Sequence, residues 1–238
     1  DEGVSTSEGL ASARFIVAAD GVRSRLRRDA GLDGPPARRR RLGLRRHYAV
    51  SPWSDHVEVH WSDNVEAYVT PVSPVQVGIA MLFEGVPADY DQLLGRFPAL
   101  SARLADAPAS STDRGAGPLE QNARGVVRGR LALVGDAAGY VDAITGEGIS
   151  LALRDAFAVT RAITRGDLSL YAAAHRRSVR LPVMMTRLLL AVERRPRLRR
   201  RLIVALSSNP RLFRALLALH VRAPGSALRA FRPAPVRL

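Results

Sequence analysis

The segment Leu131-Ala132-Leu133-Val134 is an unbroken apolar run that stops at Gly135-Asp136. A run of this kind reads as a strand buried on both faces, as in parallel sheets. Such a sheet must be covered by helices, which confines the chain to an α/β arrangement. A carboxylate delivered at the C-terminal edge of the strand stands where open α/β sheets bind ligands, and it can accept hydrogen bonds from ligand hydroxyls. Downstream, Gly146 and Gly148 open a helix with bare backbone. The first N–H groups of that helix carry partial positive charge. They suit a phosphate, or a ring edge that takes on negative charge.

The remainder of the chain supplies the other layers. Ala13 to Ala19 reads as a short buried strand ended by Asp20-Gly21, and Val22 to Ala30 as a helix closed by Gly31. Gly34-Pro35-Pro36 and the run Arg38 to Arg41 read as a solvated loop. Residues 56–83 alternate with period two and predict an antiparallel meander. Val65, Ala67 and Val69 face its core, and Glu66 and Tyr68 lie on an open face that could line a substrate pocket. Residues 89–106 read as two short helices, the second started by Pro98. In the helix after Gly148, Ile149, Ala152, Leu153, Ala156, Phe157, Thr160 and Ile163 share a face, which is expected to point inward. The last third is helical, with starts expected at Pro182, Pro196 and Asn209-Pro210.

Two strings carry a resemblance. Gly135-Asp136-Ala137-Ala138-Gly139-Tyr140, followed by Thr145-Gly146-Glu147-Gly148-Ile149, resembles the second flavin motif of the para-hydroxybenzoate hydroxylase-like flavoproteins. Aromatic hydroxylases usually have His after the two alanines and Pro before the glycines. This chain has Gly139 and Ala143, which makes it most similar to the geranylgeranyl reductase branch. Upstream, Asp20-Gly21-Val22-Arg23-Ser24-Arg25-Leu26-Arg27 is similar to the superfamily's Asp-Gly-x-x-Ser-x-x-Arg motif.

The resemblance implies an FAD site. Asp136, flanked by Gly135 and Ala137, would hydrogen-bond the ribityl chain. Gly146 and Gly148, with the amides of Glu147 and Ile149, would face the pyrimidine edge of the flavin. Asp20 and Gly21 would support the coenzyme region, and Arg27 would hold the motif's loop by hydrogen bonds. The implied layout is a partial, Rossmann-like FAD-binding layer from residues 1–46 and 115–165. An antiparallel substrate-domain sheet with helices spans 47–114, and a C-terminal helical cap spans 166–238. The family's Gly-x-Gly-x-x-Gly loop is not in this sequence. The expectation is therefore an N-terminally truncated chain that by itself binds FAD poorly.

The implied activity is an FAD-dependent oxidoreductase, reductase-like, driven by NAD(P)H and acting on a small apolar substrate of isoprenoid or polyketide type. One alternative is an FAD-dependent monooxygenase. Another is a non-catalytic, Arg-rich surface-binding protein with a degenerate flavin fold. The redox chemistry sits on the flavin, so no catalytic side chain is named.

Composition closes off other chemistry. Cys is absent, which excludes disulfides and thiolate sites. His56 and His60 share a strand face but stand about 13 Å apart, too far for one metal, so no metal site is expected. Trp53, Trp61 and Tyr68 read as core packing first and as a pocket wall second. The net charge of +14 is concentrated in residues 161–238, where 18 arginines face 2 acids. No aromatic stacking ladder accompanies them, so nucleic acid is not the expected partner. Leu188, Leu189, Val192, Leu202, Ile203, Leu206, Leu212, Leu216 and Leu219 form apolar stripes rimmed by Arg. These fit a solvated cap or contact with an anionic membrane surface. No signal peptide or membrane span is read, so the expected location is cytoplasmic, with peripheral membrane contact as an addition.

Overall fold

Alternating apolar residues from Leu42 to Phe83 build the largest sheet of the molecule. The structure, a computed structural model, describes residues 3–37 and 39–221. The chain divides between Arg187 and Leu188 into two compact units. In the first, β1 (Gly3–Thr6) and β2 (Gly9–Ser12) form an antiparallel hairpin. β3 (Ile16–Ala18) leads to α1 (Arg25–Asp29), whose N-cap Ser24 accepts the Arg27 N–H at 3.0 Å. Then come β4 (Arg41–Tyr48), β5 (Glu58–Ser62), β6 (Val65–Ser73) and β7 (Gln76–Glu84). β5 and β6 are joined by Asp63-Asn64, with Asn64 in the left-handed region that tight hairpins require (φ 59°). Two short helices follow, α2 (Tyr90–Leu94), capped by Asp89, and α3 (Pro98–Leu104), opened by its proline. β8 (Arg114–Ala116), β9 (Val127–Arg128) and β10 (Leu131–Leu133) complete the strands.

The large sheet has the order β5-β6-β7-β4-β8 and all its pairings are antiparallel. Val65, Ala67, Val69, Ile79 and Met81 pack from one face against Tyr90, Leu93, Leu100 and Leu104 of α2 and α3. Full burial of each large apolar side chain contributes about 1.5–3 kcal/mol. The small sheet has the order β3-β10-β9, with β3 and β10 parallel, as the apolar run at 131–134 predicts. α4 (Gly148–Thr164) and α5 (Ser169–Glu193) follow it. The second unit is helical and contains α6 (Pro196–Ser208) and α7 (Pro210–Val221).

Several sequence expectations need correction, among them the helix read over Val22 to Ala30, which runs only from Arg25 to Asp29 because Ser24 caps it. The first strand is shorter than 13–19, because only Ile16 to Ala18 find a partner in β10. Arg41 is not solvated: it opens β4 and is buried between two carboxylates. Arg38 lies outside the described residues. The Glu66–Tyr68 face of the meander is not open, because the segment around Asp142 and Ile144 covers it. The inward face of α4 is Asp155, Val159 and Ala162, while Ile149 (79% exposed) and Leu153 point outward. Small residues decide this. A Cβ on Gly135 would stand 3.2 Å from that of Ala152, so the helix lies too close to the turn for bulky side chains. Finally, Pro182 lies inside α5 and does not start a helix. Its ring is on the buried side with Tyr171 and Thr186, and the helix continues past the missing N–H.

Candidate functional site

Because β3 and β10 run parallel, the chain leaves both at one edge of the sheet: at Asp20 after β3, and at Gly135-Asp136 after β10. Gly135 takes a left-handed conformation (φ 58°) and starts a 3-10 turn, Gly135–Ala138. That turn aims the strand's last residues across the sheet edge. The Asp136 carboxylate is half-buried, and burial raises its pKa. No hydrogen bond or ion pair from the described residues engages it. The Tyr140 hydroxyl is pushed up to about 12, by burial first and then by the charges of Asp136 and Asp142.

A second 3-10 turn, Ala143–Thr145, ends at Gly146, again left-handed (φ 67°). A side chain there would be strained, and a Cβ would meet nothing within 4 Å, so the backbone is open to close approach. Glu147 and Gly148 then begin α4, and no side chain caps its first turn. Gly148 lies beside the Tyr140 ring, with a Cβ at that position 3.5 Å from Cε2. Thus the turn that carries Gly135, Asp136 and Ala137 packs beside the start of α4, where Gly146, Glu147, Gly148 and Ile149 lie.

Arg27 supports this edge from beneath. It is 1% exposed. Nη1 donates to the Ala137 carbonyl at 3.1 Å, Nη2 to the Val22 carbonyl at 2.9 Å, and Nε lies 2.7 Å from Asp33. It therefore ties the loop before α1 to the turn after β10. Asp20 accepts the amides of Arg25 and Leu26 at 2.8 and 3.3 Å. Burial pushes its pKa up, but the Ser24 hydroxyl and these amides outweigh that and leave it lowered. With Gly21 (φ 78°), it fixes the start of α1 next to the site.

Two supports were not singled out from sequence. In the first, the Arg41 guanidinium lies 2.8 Å from Asp142 and 3.2 Å from Glu66, and all three are buried. The Tyr68 hydroxyl donates to Glu66 at 3.1 Å and to the Ile144 carbonyl at 3.3 Å. Burial raises the Asp142 pKa, and Arg41 offsets only part of that. Burial, then the Glu66 charge and hydrogen bond, raise the Tyr68 pKa. The large sheet is thereby fastened to the turn that ends at Gly146. In the second support, Asp155 accepts the Gly135 amide at 3.1 Å and pairs with His175 Nδ1 at 2.8 Å. The signals were present: Arg41 precedes the alternation Leu42, Leu44, and Asp155 shares helical spacing with Val159 and Ala162. Trp53 packs on the core and donates to Glu58, as its first reading had it.

The arrangement defines a class first: its fold is that of FAD-binding flavoproteins. Among solved structures, the Diels-Alderase PyrE3 of pyrroindomycin biosynthesis superposes with a TM-score of 0.73 at 22% identity, over 94% of this chain and 53% of that one. Klebsiella pneumoniae HpxO, in complex with FAD and uric acid, gives 0.72 at 21% identity, over 92% and 62%. The myxobacterial FAD-dependent chondrochloren halogenase CndH gives 0.67 at 21% identity, over 76% and 47%. The chain thus spans roughly half the length of each of these proteins. No family model and no curated protein matches the sequence.

Proposed function

We propose that this chain supplies the flavin-ring and ribityl part of the FAD site of an FAD-dependent oxidoreductase. The observation that carries the proposal is the half-buried Asp136 carboxylate, which has no hydrogen-bond partner among the described residues. It stands at the C-terminal end of β10, close to the uncapped start of α4. Burying a charged acceptor without a donor is costly, and a polyol chain provides donors. Gly146 leaves backbone exposed for a ring edge, and the first amides of α4 would stabilise negative charge on it. The residues present therefore fit FAD, which when bound would supply the redox chemistry. Arg27, Asp155 and Arg41 hold the two turns in place.

Of the two flavin chemistries the sequence leaves open, the structural neighbours favour the monooxygenase type over the reductase type. The geranylgeranyl reductase-like assignment rests on Gly139 and Ala143, and NAD(P)H as hydride donor rests on the sequence resemblance. The small apolar substrate remains part of the same proposal. The test is FAD titration of the full-length protein, followed by NAD(P)H oxidation and O2 consumption with candidate substrates. Stoichiometric flavin binding that D136A weakens at least about ten-fold is expected. Binding equal in D136A and wild type would overturn the site. O2 consumption without product oxygenation would overturn the monooxygenase assignment alone.

A further inference from the structure

We propose that α6 and α7 form a surface that lies on anionic lipid bilayers. The observations are independent of the flavin site. In α7, Leu212, Phe213 and Leu216 share one face at helical spacing, and all three are exposed; Phe213 is 49% exposed. Arg211 and Arg214 project from the opposite side of the turn. α6, in the same unit, adds the exposed cations Arg200 and Arg201. Between Leu188 and Val221 there are 8 arginines and 1 acid. That acid, Glu193, is buried, so the accessible ionic groups of this stretch are cationic. The side chain of Leu219, part of the sequence-predicted stripe, lies outside the described residues.

Charge and apolarity together select the occupant. A free polyanion would satisfy the arginines and leave Leu212, Phe213 and Leu216 in water. An anionic bilayer takes both, with acyl chains covering the apolar face and headgroup phosphates meeting the guanidinium groups. α6 has 13 residues, and at about 1.5 Å per residue it does not reach across a hydrocarbon core of about 30 Å. No helix among the described residues is long and apolar enough to cross a membrane. The helices therefore lie in the interface plane.

Vesicle flotation of the full-length protein tests this. The probes are vesicles of phosphatidylcholine alone, and of phosphatidylcholine doped with phosphatidylglycerol, at low and high salt. Wild type is expected to float with the doped vesicles only, and less so at high salt. Replacing Arg200, Arg201, Arg211 and Arg214 by Gln is expected to weaken binding by about five-fold per arginine. L212S/F213S, with every arginine intact, is expected to lose at least about ten-fold. All four replaced arginines are exposed, so the Gln variant carries the test if the Ser variant changes the helical circular dichroism. Failure of wild type to float with doped vesicles would overturn the proposal. So would undiminished binding by L212S/F213S together with equal affinity for a single-stranded oligonucleotide, which would mark a polyanion surface instead.

Discussion

β7 has a partner on each side along its length, β6 on one edge and β4 on the other, whereas among the described residues β3 pairs with β10 alone, over three residues. The large sheet buries Ile79 and Met81 almost completely, while Val17 of β3 is 40% exposed. The same contrast holds for acids. Glu66 and Asp142 share a guanidinium, and Asp155 has a backbone amide and a histidine. Asp136 has no such partner among the described residues. The large sheet closes its own core; the small-sheet region satisfies Asp155 but leaves Asp136 at its edge, the position proposed above for ligand contact.

Substitutions can break or sharpen this division. The largest effect is expected from R41M, which strands two buried carboxylates. It should lower unfolding stability by about 3–5 kcal/mol in urea denaturation. A loss under about 1 kcal/mol would show that the network does not fasten the sheet to the site.

D136N should behave in the opposite way. FAD affinity is expected to fall by about 1.5–3 kcal/mol, the worth of a hydrogen bond to a charged group. Stability without the cofactor should hold or rise. The sign follows from the raised pKa of Asp136. The folded state binds its proton more tightly than the unfolded state, so wild type gains stability as pH falls through that pKa, and D136N should lack this gain. Denaturation midpoints across the carboxylate range would reveal it.

G146A places a Cβ at φ 67°. It should cost about 1–2 kcal/mol of stability, by thermal denaturation, and weaken flavin binding with it. The smallest effect is expected from D20A. Loss of two exposed, solvent-screened amide hydrogen bonds should cost about 1 kcal/mol at neutral pH. The Asp20 pKa is lowered on folding. Its contribution is therefore present above the unfolded value and disappears as pH falls through the folded one, so the deficit of D20A should vanish in acid.

Much of this division was legible in the sequence where local pattern decides structure. The apolar run 131–134, the alternation of 65–69 and 75–83, and the prolines at 98, 196 and 210 each act on their own neighbourhood. The glycine-flanked turns were legible for the same reason, and with them the candidate site. What escaped was settled by distant partners. Arg41 ends an arginine run, and only the presence of Glu66 and Asp142 makes it a buried residue. α4 carries two stripes of helical spacing. The choice between them depended on the space beside Gly135 and on a partner for Asp155, neither of which a periodicity count contains. Pro182 looked like a helix start because a proline's local penalty is readable and the helix's continuation past it is not.

The contact between Arg41 and Asp142 joins positions 101 residues apart. The pairings of β5 with β6 and of β6 with β7 need only short loops to close. Closing a long loop costs chain entropy before any contact rewards it, so pairings of short separation form first. Chain entropy therefore ranks the meander's pairings as early contacts and the Arg41–Asp142 contact as a late one. On the function proposed above, a ligand held at the turn ending at Gly146 would favour the state in which that late contact is already made.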